Sequence, residues 1–161
     1  MTRKWVLDAS PTILLAKISL ISLVAELCSE AIIPSGVVQE IQAGPDEDPA
    51  KKWLMQKGNI KEVSQIEPTV VAWDLGLGEN HVLSWCYQNE GYEAILDDGL
   101  ARKCALSLGI PMRGTLGIIL LAKQEGCIDE VKPFIEELIK VGFRIDTKTV
   151  KTVLDLANES I

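Results

Sequence analysis

Short apolar runs alternate along this chain with longer stretches of helical periodicity. Trp5-Val6-Leu7 is an apolar triplet that stops at Asp8, and it reads as a buried strand. Ser10-Pro11 predicts a helix start, with Ser10 as N-cap and Pro11 as the first helical residue. Apolar residues continue at helical spacing to Leu27, with a break near Ser19 that would divide them between two helices. Ala31-Ile32-Ile33 reads as a second strand closed by Pro34, and Ser35 as the cap of a helix to Ala43 that Gly44-Pro45 stops. An acidic loop, a helix over 50–56 and a strand over 60–63 follow, and then an irregular stretch over 65–73.

In the second half a helix is expected over 79–89 and a strand over 92–96, ending at Asp97-Asp98. A helix over 100–108 is closed by Gly109, and a strand follows over 110–112. Gly114-Thr115 opens a helix to Gln124 that Gly126 ends. An amphipathic helix over 130–141, an edge strand over 143–145 and a last helix over 147–157 complete the chain. Short apolar strands alternating with helices predict an α/β fold: a three-layer α/β/α sandwich around a central, mainly parallel sheet.

With 161 residues and 17.6 kDa, one domain over 1–161 is expected, and its 47% apolar content suffices for a core without disulfides. The net charge of −7 excludes a protein that coats nucleic acid through a broad basic field. It leaves room for one that touches nucleic acid through metal ions and a few local cations. Cys28, Cys86, Cys104 and Cys127 form no Cys-x-x-Cys pair, and His81 is the sole histidine, so the usual zinc arrangements are excluded. The cysteines read as buried thiols of a reducing, cytoplasmic compartment. The start Met1-Thr2-Arg3-Lys4 runs straight into a strand without a signal peptide. The most apolar stretch, 13–27, is interrupted by Lys17, Ser19, Ser22 and Glu26, and no membrane span is expected.

The chemistry lies in the acids. Asp8 and the doublet Asp97-Asp98 end two of the clearest strands, and if those strands are central and parallel their carboxylates meet at one sheet edge. Clustered carboxylates repel unless a cation sits between them, and hard oxygen donors suit Mg²⁺ or Mn²⁺. Glu40, in an otherwise apolar helix, and Glu79, after Gly76-Leu77-Gly78, are candidates to join them. A glutamate at the position of Glu79 is equally favoured by the helix dipole alone.

Four motifs occur in order: Asp8-Ala9-Ser10-Pro11, Gly76-Leu77-Gly78-Glu79, Leu96-Asp97-Asp98 and Gly114-Thr115-Leu116-Gly117. With them the chain resembles the PIN-domain superfamily, and within it a subfamily of small prokaryotic PIN-like proteins, from about Trp5 to Phe143. The resemblance implies a metal-dependent endoribonuclease that hydrolyses RNA to 5′-phosphate and 3′-hydroxyl ends, in many members the toxin of a toxin–antitoxin pair. By position it implies Asp8, Glu40, Glu79 and Asp97 or Asp98 as catalytic and metal-binding residues for Mg²⁺ or Mn²⁺. Two departures stand out: glutamate at position 79 where many toxins have aspartate, and the doublet in place of the commoner Thr-x-Asp.

Ser10, Thr115 and Arg113 are candidates for contact with substrate or for support of the acids, although Ser10 and Thr115 also read as helix caps and Arg113 as a solvated cation. Arg102, Lys103 and Lys17 read as a solvated face, Trp73 as a residue near the site, and His81 as a surface or boundary residue. RNA is the expected substrate, with an antitoxin protein and a second copy of the chain as candidate partners. A competing reading is a catalytically weak or inactive PIN-like module that docks RNA or a protein. A third, an Asp-nucleophile phosphotransferase or phosphatase, wants a second aspartate two positions after Asp8, where Ser10 stands.

Overall fold

A computed structural model describes residues 2–160 of the chain. Five strands, β1 (Lys4–Leu7), β2 (Glu30–Pro34), β3 (Ile60–Lys61), β4 (Glu93–Ile95) and β5 (Met112–Arg113), form one sheet in the order β3-β2-β1-β4-β5. Every neighbouring pair is parallel, as the short apolar runs imply. The helices are α1 (Ala9–Lys17), α2 (Val24–Leu27), α3 (Ser35–Gln42), α4 (Pro49–Lys57), α5 (Pro68–Val71) and α6 (Leu77–Gln88), then α7 (Gly99–Ser107), α8 (Thr115–Gln124), α9 (Lys132–Lys140) and α10 (Thr147–Leu156). The architecture is the expected α/β/α sandwich, with a sheet that is parallel throughout.

The centre of the sheet is dry on both faces. Trp5, Val6 and Leu7 of β1 are at most 1% exposed, so consecutive residues are buried although their side chains point to opposite sides. Helix α6 packs across β1, β2 and β4 and against α3, while α8 packs against α1 and α10. Ser19 takes a left-handed conformation (φ 62°) after α1, and the chain turns there through a 3-10 segment (Ile21–Leu23) into α2, which is the expected break. Among the described residues no single helix is long and apolar enough to cross a membrane.

Several local expectations are corrected. Helix α1 begins at Ala9, so Asp8 is its N-cap and Ser10 lies inside the first turn. Helix α3 likewise begins at Ser35, with Pro34 at the cap position, and the Ser35 hydroxyl turns instead to His81 and the Val63 amide. The irregular stretch contains the short helix α5. The fifth strand sits later than expected, at Met112–Arg113, where it can pair with Ala94 and Ile95. Residues 143–145 form no strand; they belong to the turn between α9 and α10. The amphipathic reading of α9 holds for Ile135 and Leu138, which are buried, but Ile139 is exposed. Cys28, Cys86 and Cys104 are buried, Cys127 is half-buried, and all four are free.

Candidate active site

The chain leaves β1 to build β2 and β3 on one side, then crosses over to build β4 and β5 on the other. A crevice opens at such a reversal, beyond the carboxyl ends of the two strands. Asp8 follows β1 and Asp97 follows β4 by two residues, and the Asp8 N–H donates to the Ile95 carbonyl at 3.0 Å, which ties the two strand ends together. An open hollow of about 810 Å³ lies there, lined by Asp8, Ser10, Glu40, Glu79, Asp97 and Asp98. All five acids singled out in the sequence therefore face one space.

Different local devices hold each of them. Asp8 is 5% exposed, and its Oδ1 is buried without a hydrogen-bond partner among the described residues. Glu40 is the sixth residue of α3, and its carboxylate lies over Gly76 and Gly78. A Cβ at Gly78 would stand 2.1 Å from Glu40 Oε1 and 3.1 Å from Asp8 Oδ1, so the bare glycine is what lets the two carboxylates approach α6. Glu79 Oε1 accepts from the Gly76 N–H at 3.3 Å, the backbone half of a capping box. Asp97 accepts from Thr115 through both oxygens, and Asp98 caps α7 by accepting from the Ala101 N–H at 3.0 Å.

The electrostatics follow from burial and crowding. Burial pushes Asp8 up to about 7; the Ala9 N–H opposes this, while Glu79, Glu40 and Asp97 add repulsion. Glu79 is raised by partial burial, then by the neighbouring Asp98 charge and by Glu40. Asp8 and Glu79, whose proton affinity burial and the neighbouring carboxylates raise, thus face a hollow short of positive charge.

A family model described as PIN domain matches residues 4–159. The chain belongs to the PIN-domain family. A search of curated proteins gave no match. PIN domains are nuclease-type folds that generally use divalent metals, and the donor chemistry here suits such an ion: carboxylate oxygens only, one of them buried and unpartnered. Among the described residues no three acids, histidines or cysteines stand together as a formed metal centre.

Not every predicted residue of the PIN domain reaches the hollow. Thr115 is fully buried behind Asp97 and reaches the hollow only through it. Ser10 lines the hollow as an exposed residue and caps nothing. Arg113 is not among the residues lining the hollow: from β5 its guanidinium pairs with Glu93 of the neighbouring strand β4 at 3.3 Å. His81 is corrected. It lies two residues after Glu79 and faces away from the acids, but it is 8% exposed, buried against α3. Arg102 is half-buried and donates to the Leu96 carbonyl at 3.1 Å, behind the doublet, whereas Lys17 and Lys103 stay exposed. Trp73 packs on the core.

Two lining residues escaped the sequence reading. Phe143 and Arg144 come round from the turn after α9 to the hollow's rim, where Arg144 is the one cation among the lining residues. Their apolar–basic–apolar pattern with Ile145 looks like an edge strand, and the one local mark of the turn that brings them there is Gly142, left-handed (φ 100°) at the end of α9. Ile13 and Leu14 of α1 and Ala43 give the rim an apolar side.

Proposed function

We propose that this PIN domain is a metal-dependent ribonuclease that hydrolyses RNA phosphodiester bonds in the acidic hollow. The observation that carries the reading is the convergence of five carboxylates at the strand reversal, with Asp8 buried and one of its oxygens unpartnered. Asp8, Glu79 and Asp97 or Asp98 are the residues that would hold Mg²⁺ or Mn²⁺, with Glu40 at their side. When bound, such an ion supplies Lewis acidity that activates water and offsets charge at the phosphorus.

The chain's own residues do the rest. Asp8 would hold such an ion in its ionised form, which burial disfavours in the metal-free protein. Glu79 and Glu40 surround the same space from two helices and orient water by accepting its hydrogens. Arg144 offers a guanidinium to a phosphate neighbouring the scissile one, which lets a polyanion approach carboxylates that otherwise repel it. Phe143, Ile13 and Leu14 form an apolar rim against which an unpaired base can lie. In a toxin–antitoxin setting the inhibitor would be a protein that covers this hollow, and a second copy of the chain is a further candidate partner.

The test is incubation of the protein with labelled single-stranded RNA in Mn²⁺, in Mg²⁺ and in chelator, beside Asp8→Asn. Metal-dependent cleavage that Asp8→Asn abolishes supports the reading. Binding of RNA without cleavage in either metal sinks it in favour of a docking module.

A further inference from the structure

The crossing of α3 and α6 carries two reciprocal glycine contacts. On α3, Gly36 lies against the His81 ring of α6, where a Cβ would stand 2.7 Å from Nδ1 and 2.8 Å from Cγ. On α6, Gly78 lies against Glu40 of α3, where a Cβ would stand 2.1 Å from Oε1. Gly36 and Glu40 are one helical turn apart on α3, and Gly78 and His81 one turn apart on α6. Each helix thus presents a glycine and a functional side chain to the other.

The first contact is a hydrogen bond as well as a close approach. The Gly36 N–H donates to His81 Nδ1 at 2.8 Å. That amide sits in the first turn of α3, where backbone N–H groups have no acceptor within their own helix. His81 is therefore a cap for α3 supplied by another helix. Accepting at Nδ1 places the ring proton on Nε2. Among the described residues the polar contacts tying α3 to α6 are those of His81, to Gly36 and at 3.4 Å to Ser35 Oγ.

We propose that His81 is a positioning residue for the acidic hollow: its bond to the Gly36 amide fixes α3 against α6, and so fixes how far Glu40 stands from Asp8 and Glu79. This rests on the hollow being the metal-binding site argued above. Glu40 and Glu79 belong to different helices, so their separation is a property of the crossing rather than of either helix. Gly78 completes the device by leaving the space that the Glu40 carboxylate occupies.

Three variants test it: His81→Asn, whose side-chain oxygen can take the place of Nδ1, His81→Leu, which fills the space without an acceptor, and Gly78→Ala. Two quantities are read in each, the affinity for Mn²⁺ alone by calorimetry and the hydrogen exchange of the α3 amides in metal-free protein. His81→Leu is expected to bind Mn²⁺ about 10–100-fold more weakly, the range for residues that orient metal ligands, and to lose protection at Gly36. His81→Asn is expected to restore both. Gly78→Ala is expected to keep the Gly36 protection and still lose Mn²⁺ affinity, because the added methyl displaces the flexible end of Glu40.

A folded His81→Leu protein with wild-type Mn²⁺ affinity overturns the proposal, and so does a His81→Asn protein as weak as His81→Leu. If His81→Leu does not fold, Gly78→Ala with undiminished affinity overturns it. A wild-type protein that binds no Mn²⁺ removes the metal reading instead. The exchange data then decide the helix lock alone: protection of Gly36 that is lost in His81→Leu and kept in His81→Asn supports it, and protection indifferent to both overturns it.

Discussion

Thr115 grips Asp97 by both carboxylate oxygens: its backbone N–H donates to Oδ1 at 2.8 Å and its hydroxyl to Oδ2 at 2.6 Å. Thr115 is the first residue of α8 and is fully buried, so the donors belong to a rigid helix end and not to a loop. The bare Gly114 beside it matters too, since a Cβ there would stand 2.9 Å from Asp97 Oδ1 and from the Arg102 guanidinium. Asp97 is thereby fixed in orientation before anything binds. Thr115→Val keeps the shape and the amide donor and removes only the hydroxyl. It is expected to cost about 1 kcal/mol in urea unfolding and to lower RNA cleavage about tenfold or more, with Thr115→Ser recovering most of both.

Asp8 makes the metal-free protein sensitive to pH in a direction opposite to most carboxylates. Its folded-state value, about 7, lies above its ordinary value of 3.8, so the folded state binds the proton more tightly than the unfolded chain. The stability this confers is present below about pH 4 and is lost as pH rises toward 7. A shift of that size corresponds to roughly 4 kcal/mol. Asp8→Asn, neutral at every pH, is expected to raise the melting temperature of metal-free protein at pH 7.5 and to flatten its fall between pH 5 and 7.5. Calorimetry of both proteins in chelator across that range checks it. An Asp8→Asn protein that melts lower than wild type at pH 7.5 contradicts the burial argument.

Much of this was legible because it is written in local patterns. Trp5-Val6-Leu7-Asp8 and Ala94-Ile95-Leu96-Asp97 each announce a buried strand with an acid at its end, and a parallel sheet does the rest. Helix starts were read less well, since Ser10 and Ser35 look like caps while the chain starts α1 and α3 one or more residues earlier. The surroundings of Arg113 were illegible for a different reason. A residue at a strand end can point along either sheet face, and only the sheet order shows that Glu93 waits on this one. His81 and Arg144 owe their surroundings to contacts between helices far apart in sequence, which no periodicity records.

If RNA lies across the hollow as proposed, Arg144 and Phe143 would hold it by different forces, which salt can separate. A single arginine on a phosphate contributes about one unit to the dependence of log affinity on log salt, scaled by about 0.7 for a single strand. Arg144→Ala is therefore expected to weaken binding and to flatten that dependence by roughly this amount. Phe143→Ala is expected to weaken binding by about 1–3 kcal/mol with the salt dependence unchanged, as loss of a stacking face does. Titrations of fluorescent single-stranded RNA at several salt concentrations, in Ca²⁺ or with Asp8→Asn to suppress cleavage, give both quantities. Equal salt dependence for wild type and Arg144→Ala would place the phosphate elsewhere.

The rim itself is anchored from the far end of the chain. Glu159, mostly buried, accepts from the Val131 N–H at 2.8 Å and the Lys132 N–H at 3.0 Å, and pairs with Lys123 at 2.9 Å. Those amides open α9, and α9 leads directly into the turn bearing Phe143 and Arg144. Lys123 also donates to the Ala157 carbonyl, so α8, α9 and the end of α10 meet in one clasp. Glu159→Gln keeps acceptor and size but removes the charge, and it is expected to cost about 1–3 kcal/mol of stability, the worth of hydrogen bonds to a charged group. Glu159→Ala is expected to cost at least as much. Because Glu159 lies away from the five acids, Mn²⁺ affinity is expected to hold in Glu159→Gln while RNA binding falls as the rim loosens. Loss of both together would mean that the clasp supports the whole hollow and not the rim alone.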